Sequence, residues 1–129
     1  MKQLQTLSKM SDWYWELNSI QHASTLFEKR LHALQSNPLP AARQPQVASL
    51  LHLVQQHRQQ LEQIQSRLQA YSMSLLQQGK QQTAAETLDK EEEQLEKTIT
   101  NEINDFSNVK NQYFSFIRQM LFPEGFHAN

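Results

Sequence analysis

The amino-acid sequence predicts an all-α protein: an elongated antiparallel three-helix bundle with coiled-coil-like packing. Three observations carry that expectation. Apolar residues recur at alternating steps of three and four along three long stretches, which keeps them on one face of a helix. The 129 residues hold two Gly and four Pro against 20 Gln and 17 Leu, a balance that disfavours a turn-rich β fold. Three of the prolines fall in one short stretch, so the helical pattern breaks sharply there.

The first stripe runs Trp13, Leu17, Ile20, Ser24, Phe27, Leu31 and Leu34. Ser11 is placed to cap it, its hydroxyl accepting from a free amide of the first turn. The first helix is therefore expected over about 11–36. Leu4 and Leu7 either extend the stripe backwards or form a separate turn. Residues 37–46 read Asn-Pro-Leu-Pro-Ala-Ala-Arg-Gln-Pro-Gln, a semi-rigid linker in which each proline pushes its predecessor out of the helical region.

Pro45 suits the first turn of a second helix, where a missing N–H costs nothing. That helix is expected over about 46–78. Its stripe is the most regular in the chain: Val47, Leu50, Val54, His57, Leu61, Ile64, Leu68, Tyr71 and Leu75. A strict seven-residue repeat favours a left-handed supercoil with neighbouring helices. Leu51, Leu53 and Leu76 widen the apolar face, which suggests more than one partner helix. Gly79 is a left-handed stop. Thr83 with Glu86 forms a capping box that opens a third helix over about 84–121. Its stripe includes Leu88, Leu95, Ile99, Ile103, Phe106, Val109, Tyr113, Phe116, Ile117 and Met120. Phe122-Pro123-Glu124-Gly125 ends it, and 122–129 is expected to be a loose tail.

The whole reads as one helical domain over 1–129. The short turn at 79–83 makes the second and third helices an antiparallel hairpin, along which the first returns. Apolar positions are left to spare, and a homodimer or hetero-complex is the preferred closure. A compact monomer is the alternative.

Composition excludes several functions. With no Cys there is no disulfide scaffold, thiolate nucleophile or Cys-ligated metal. No apolar run of membrane-spanning length occurs, and Met1-Lys2-Gln3-Leu4-Gln5 lacks the apolar core of a signal peptide. The expected location is the cytoplasm, and membrane association is not expected. The formal charge of −1 hides an asymmetry: residues 1–80 balance at +4 and residues 81–129 at −5. Either the helices of opposite sign attract one another, or the first 80 residues offer a basic surface to an anionic partner.

Chemistry is sparse. His22, His32, His52, His57 and His127 form no metal-binding spacing. His57, on the apolar stripe, reads as a core or register-setting residue. The acidic cluster from Asp89 to Glu96 lacks the turning loop of a calcium site and reads as a solvated face. Two glycines build no phosphate-cradling loop of the usual kind. No catalytic residue, cofactor or metal is expected, and the chain reads as a non-enzyme.

Binding is the remaining function. Trp13-Tyr14-Trp15 is the strongest local anomaly, because consecutive helical residues point about 100° apart and cannot all face one core. Trp13 belongs to the stripe, so Tyr14 or Trp15 is expected to be at least partly exposed; Trp15 then either anchors a partner or packs against the third helix or the linker. Phe122 and Phe126 are a second candidate anchor. The basic residues are scattered, with Arg58 and Arg67 the candidates on the second helix.

Two family resemblances add to this reading. Pro45-Gln46-Val47-Ala48-Ser49-Leu50 and Gln60-Leu61-Glu62-Gln63-Ile64, with Glu92-Glu93-Gln94-Leu95-Glu96, are similar to the bacterial primosomal replication protein PriC family over about 45–100. That resemblance implies an all-helical accessory factor of replication restart, contacting single-stranded DNA, its binding protein and the replicative helicase. The acidic last third departs from that generally basic family. Asn101-Glu102-Ile103-Asn104-Asp105-Phe106 resembles the last helix of a sorting-nexin BAR domain, which implies a membrane-associated helical dimer.

The function expected is a helical adaptor acting by protein–protein contact, most specifically in replication restart. The alternatives are a small helical chaperone or assembly subunit, as of a bacterial secretion system, and a BAR-like dimer. The expected partner is a protein, with single-stranded DNA a second candidate.

Overall fold

The computed structural model describes residues 2–36, 40–78 and 85–121. They form three α-helices, α1 (Lys2–Ser36), α2 (Gln44–Gln78) and α3 (Ala85–Leu121). At 35, 35 and 37 residues, each is about 50–55 Å long. The protein is an all-α three-helix bundle.

Heptad positions account for the packing. With a and d as the buried pair, α1 buries Thr6, Met10, Trp13, Leu17, Ile20, Ser24, Phe27 and Leu31 in strict 3–4 alternation. In α2 the same alternation buries Val47 through Tyr71 except His57, which is partly covered, as is Leu75. In α3 it runs Leu95, Ile99, Glu102, Phe106, Val109, Tyr113 and Phe116. Repeats of seven in all three helices let each stripe stay on the common axis of the bundle.

Long-range pairs fix direction and register. Tyr14 meets Ser72, Gln21 meets Gln65 and Glu28 meets Arg58, so each step of seven along α1 is matched by seven backwards along α2. Thr6 meets Glu92, Lys9 meets Glu96 and Phe27 stacks on Tyr113, a steady offset of 86 or 87 residues. Thus α2 is antiparallel to its neighbours, and α1 and α3 run parallel.

The helix starts differ from the sequence reading. Helix α1 begins by Lys2, nine residues before Ser11, which is exposed within it and caps nothing. The stripe continues backwards through Met10 and Thr6; the latter is polar, but its hydroxyl donates to Glu92 Oε1 at 3.1 Å. Leu7, one place off that stripe, is exposed. Helix α2 starts at Gln44, inside the expected linker. The Arg43 amide donates to the Pro40 carbonyl at 2.8 Å, and the Arg43 carbonyl accepts from Val47 at 3.2 Å. Arg43 thus stands at the helix entrance and Pro45 in the first turn. The expected roles of Gly79, Thr83 and the 122–129 tail lie outside the described residues.

The widened face of α2 is largely used within the chain. Leu51 is buried and Leu53 packs against the core, while Leu76 stays exposed. Leu51 and Leu53 hold the e and g positions, the flanks that face α1 and α3, whereas Leu76 holds an outer b position.

Candidate functional site

The aromatic triplet of α1 occupies positions d, e and f, and the 100° step between residues sorts it from inside to outside. Trp13 is 8% exposed and belongs to the core. Tyr14 stands at the edge, where its hydroxyl lies 3.2 Å from Ser72 Oγ. Ser72 donates its own proton to the Leu68 carbonyl at 2.8 Å, so its oxygen is left to accept from Tyr14. Trp15 is 73% exposed, on the outermost line of α1. Around it on the helix surface stand Ser11, Asp12, Asn18, Ser19 and His22, all exposed and polar. Met73 and Leu76 are exposed on the last turns of α2, the stretch whose Ser72 meets Tyr14.

The two candidate arginines are held by carboxylates of neighbouring helices. Arg58 pairs with Glu28 of α1. Burial alone would raise the Glu28 carboxyl, but Arg58, helped by Gln55 and His32, overrides it and holds the group below its ordinary value. Arg67 donates to Glu91 at 3.3 Å and to Thr98 at 3.4 Å on α3. A phosphate or partner carboxylate would have to displace these pairs. Neither arginine shares a face with Trp15. Phe122 and Phe126 lie outside the described residues.

The acidic stretch at the start of α3 is more than a solvated face. Glu91 and Glu92 are half-buried and bonded to Arg67 and Thr6, and Glu96 pairs with Lys9 at 3.5 Å. Burial and the nearby Glu92, Asp89 and Glu91 charges push the Tyr71 phenol up to about 12. Among the described residues no group of three or more His, Asp or Glu side chains is placed to hold a metal ion. None of the described helices is long and apolar enough to cross a membrane.

The sequence reading missed Glu102. It is 3% exposed, deep in the bundle, with Oε1 at 3.2 Å from His57 Nδ1. Burial, reinforced by Asp105, raises its carboxyl above the ordinary value against the opposing pull of His57. The heptad count was the available signal: Glu102 follows Ile99 by three and precedes Phe106 by four. Ile103, expected on the stripe, sits one place off it and is partly covered.

Also missed was an apolar strip along the α1–α3 seam. Leu26, Phe114 and Leu121 are between 43% and 66% exposed. Phe114 makes an edge contact with Phe27 of α1 at 5.6 Å between centroids. Beside them a shallow cavity of about 270 Å³ opens between Glu16, Ala23, Ile103 and Lys110.

The chain matches no known protein family, no curated protein and no solved structure, so the two resemblances stand on its own residues alone.

Proposed function

We propose that this chain is a non-enzymatic helical adaptor of the cytoplasm that works by protein–protein contact, with Trp15 as its anchor. The observation that supports this is the outward Trp15. The fold does not use its ring, yet a three-turn-deep helix framework holds its backbone rigid on both sides. A large, stiff aromatic on a polar surround is the composition of an interface hot spot. The resemblance to PriC gives the most specific form, a replication-restart accessory factor. The ion pairs at Arg58 and Arg67 favour a protein as what it contacts over a bare phosphate backbone.

The test is titration of the purified chain with a single-stranded-DNA-binding protein, a replicative helicase and a labelled oligodeoxynucleotide. The expected result is binding to one of the proteins, weakened at least about tenfold by Trp15→Ala, with an unchanged melting temperature. Binding to the oligonucleotide alone, steeply salt-dependent and indifferent to Trp15→Ala, would replace the adaptor reading with a nucleic-acid one.

A further inference from the structure

We propose that the groove between α1 and α3 binds a second copy of this chain, packed antiparallel about a two-fold axis at Ala23. This goes beyond the adaptor reading and uses a different face from Trp15.

The groove is the least closed of the three seams. Its polar ties, Thr6–Glu92 and Lys9–Glu96, lie at the first end of α1. Farther along, apolar and small side chains line both banks. Ala23, Ile103 and Ile117 are partly covered, and Leu26, Phe114 and Leu121 stand out to solvent. Single exposed apolar residues need no explanation, but a strip of them beside an open seam does.

Charge selects the occupant. The g positions of α1 facing this seam are Glu16, Ala23 and Arg30, evenly spaced by seven. Glu16 and Arg30 are exposed, about 21 Å apart along the helix. Lys110 of α3 shares the cavity wall and, by the offset between the two helices, sits level with Ser24, beside the axis, where the ammonium groups of the two copies approach each other and oppose association. Along α1 one end of the strip is negative and the other positive, with the smallest side chain midway. A surface with that pattern is complementary to itself when turned end for end. Glu16 of each copy then faces Arg30 of the other, and the two Ala23 positions allow close approach. This is what an isologous interface requires. Leu26 and Phe114 fall on the far side of the axis from Ile103, so each copy lays its projecting side chains against the other's shallow stretch. About an axis at Ala23 the matched stretch runs from Glu16 to Arg30, about 21 Å by 20 Å, on the order of 400 Å² per copy. That is below the size of stable interfaces and fits weak association, seen toward the upper end of the concentration range.

The experiment is light scattering with analytical ultracentrifugation on the full chain, from micromolar to sub-millimolar concentration. Wild type is expected to move from 15.1 kDa to twice that mass. Phe114→Glu is expected to stay monomeric with an unchanged helical circular-dichroism spectrum. Glu16→Arg and Arg30→Glu are each expected to weaken self-association at least about tenfold. Mixed together, those two variants should dimerise with each other, because opposite charges then meet at both contacts, one in the native sense and one reversed. Trp15→Ala should leave the dimer intact, which separates this proposal from the adaptor reading. A wild-type monomer at every concentration would overturn the proposal. So would a dimer untouched by Phe114→Glu, or two charge variants that fail to associate when mixed.

Discussion

The two seams that α1 makes share one buried stripe and differ at their flanks. Towards α2 the flank is a ladder of polar pairs, Tyr14–Ser72, Gln21–Gln65 and Glu28–Arg58, one per heptad. Towards α3 a polar pair between described residues, Lys9–Glu96, ties the first end of α1, and an apolar strip follows it. A ladder of side-chain pairs satisfies both helices and needs nothing further. An apolar strip is unfinished, because its surface gains free energy when it leaves water. The a and d positions make the bundle, and the e and g positions decide which side of it stays open.

The largest expected effect tests whether the difference is confined to the flanks. Leu31→Ala, at a fully buried position common to both seams, is expected to cost about 2–5 kcal/mol in denaturant unfolding. Leu26→Ala, on the open strip, is expected to cost under about 0.5 kcal/mol at concentrations where the chain is monomeric. Equal costs would mean that the strip is core and the contrast between seams is false.

The third seam, α2–α3, carries Arg67–Glu91 at its flank and hides a second polar pair, His57–Glu102, inside. Removing the ring of His57 while keeping Glu102 leaves a buried carboxyl without its partner, so His57→Ala is expected to cost about 3 kcal/mol. The pair also ties stability to pH. The Glu102 carboxyl is raised in the folded chain, so the folded state binds its proton more readily than the unfolded one. Its contribution is present in full below the ordinary carboxylate value and is lost as pH rises through the raised one. His57 and Asp105 set the field in which it titrates. Relative to wild type, Glu102→Gln should gain stability as the pH approaches neutral and lose that advantage in acid. A difference that is flat with pH would mean that the carboxyl is not raised.

A smaller change sharpens the view of the α1–α3 contact. Tyr113 stacks on Phe27 at 3.9 Å between centroids, and its hydroxyl is buried without a hydrogen-bond partner among the described residues. Tyr113→Phe removes that cost and keeps the stack, so it should stabilise the fold by about 1 kcal/mol. A small effect belongs to the ladder as well. Arg58→Ala should cost under about 1 kcal/mol, since the guanidinium is partly solvated and pairs of this kind contribute little. A loss several times larger would promote the α1–α2 flank from trim to structural tie.

Much of the bundle was legible as periodicity. The stripes of α2 and most of α1 were readable because Val47 to Leu75 and Trp13 to Leu34 keep step with the heptad. That Tyr14 or Trp15 is exposed was readable too, since three aromatics in a row cannot share a core; which of the two stands fully in solvent was not. What failed was the treatment of polar residues within a stripe. Thr6 hid the true start of α1, and Glu102 was passed over for Ile103, because each is buried only by virtue of a partner more than 40 residues away. The carboxylates that hold Arg58 and Arg67 were hidden in the same way, on other helices 30 and 24 residues away. So was the open strip: which flank closes depends on the register between helices, and a single helix wheel contains no register.

Trp13 and Trp15 are two residues apart, yet one sits in the interior and the other in solvent. They are the only tryptophans in the chain. Their emission therefore comes in two populations, a bluer one from the dry ring and a redder one from the wet ring. An aqueous quencher such as iodide reaches the second and spares the first. Docking at the outer face would protect the red component and leave the blue one unmoved, whereas melting of the bundle would shift the blue one. The chain carries, without any added dye, separate optical readouts of occupancy and of folding.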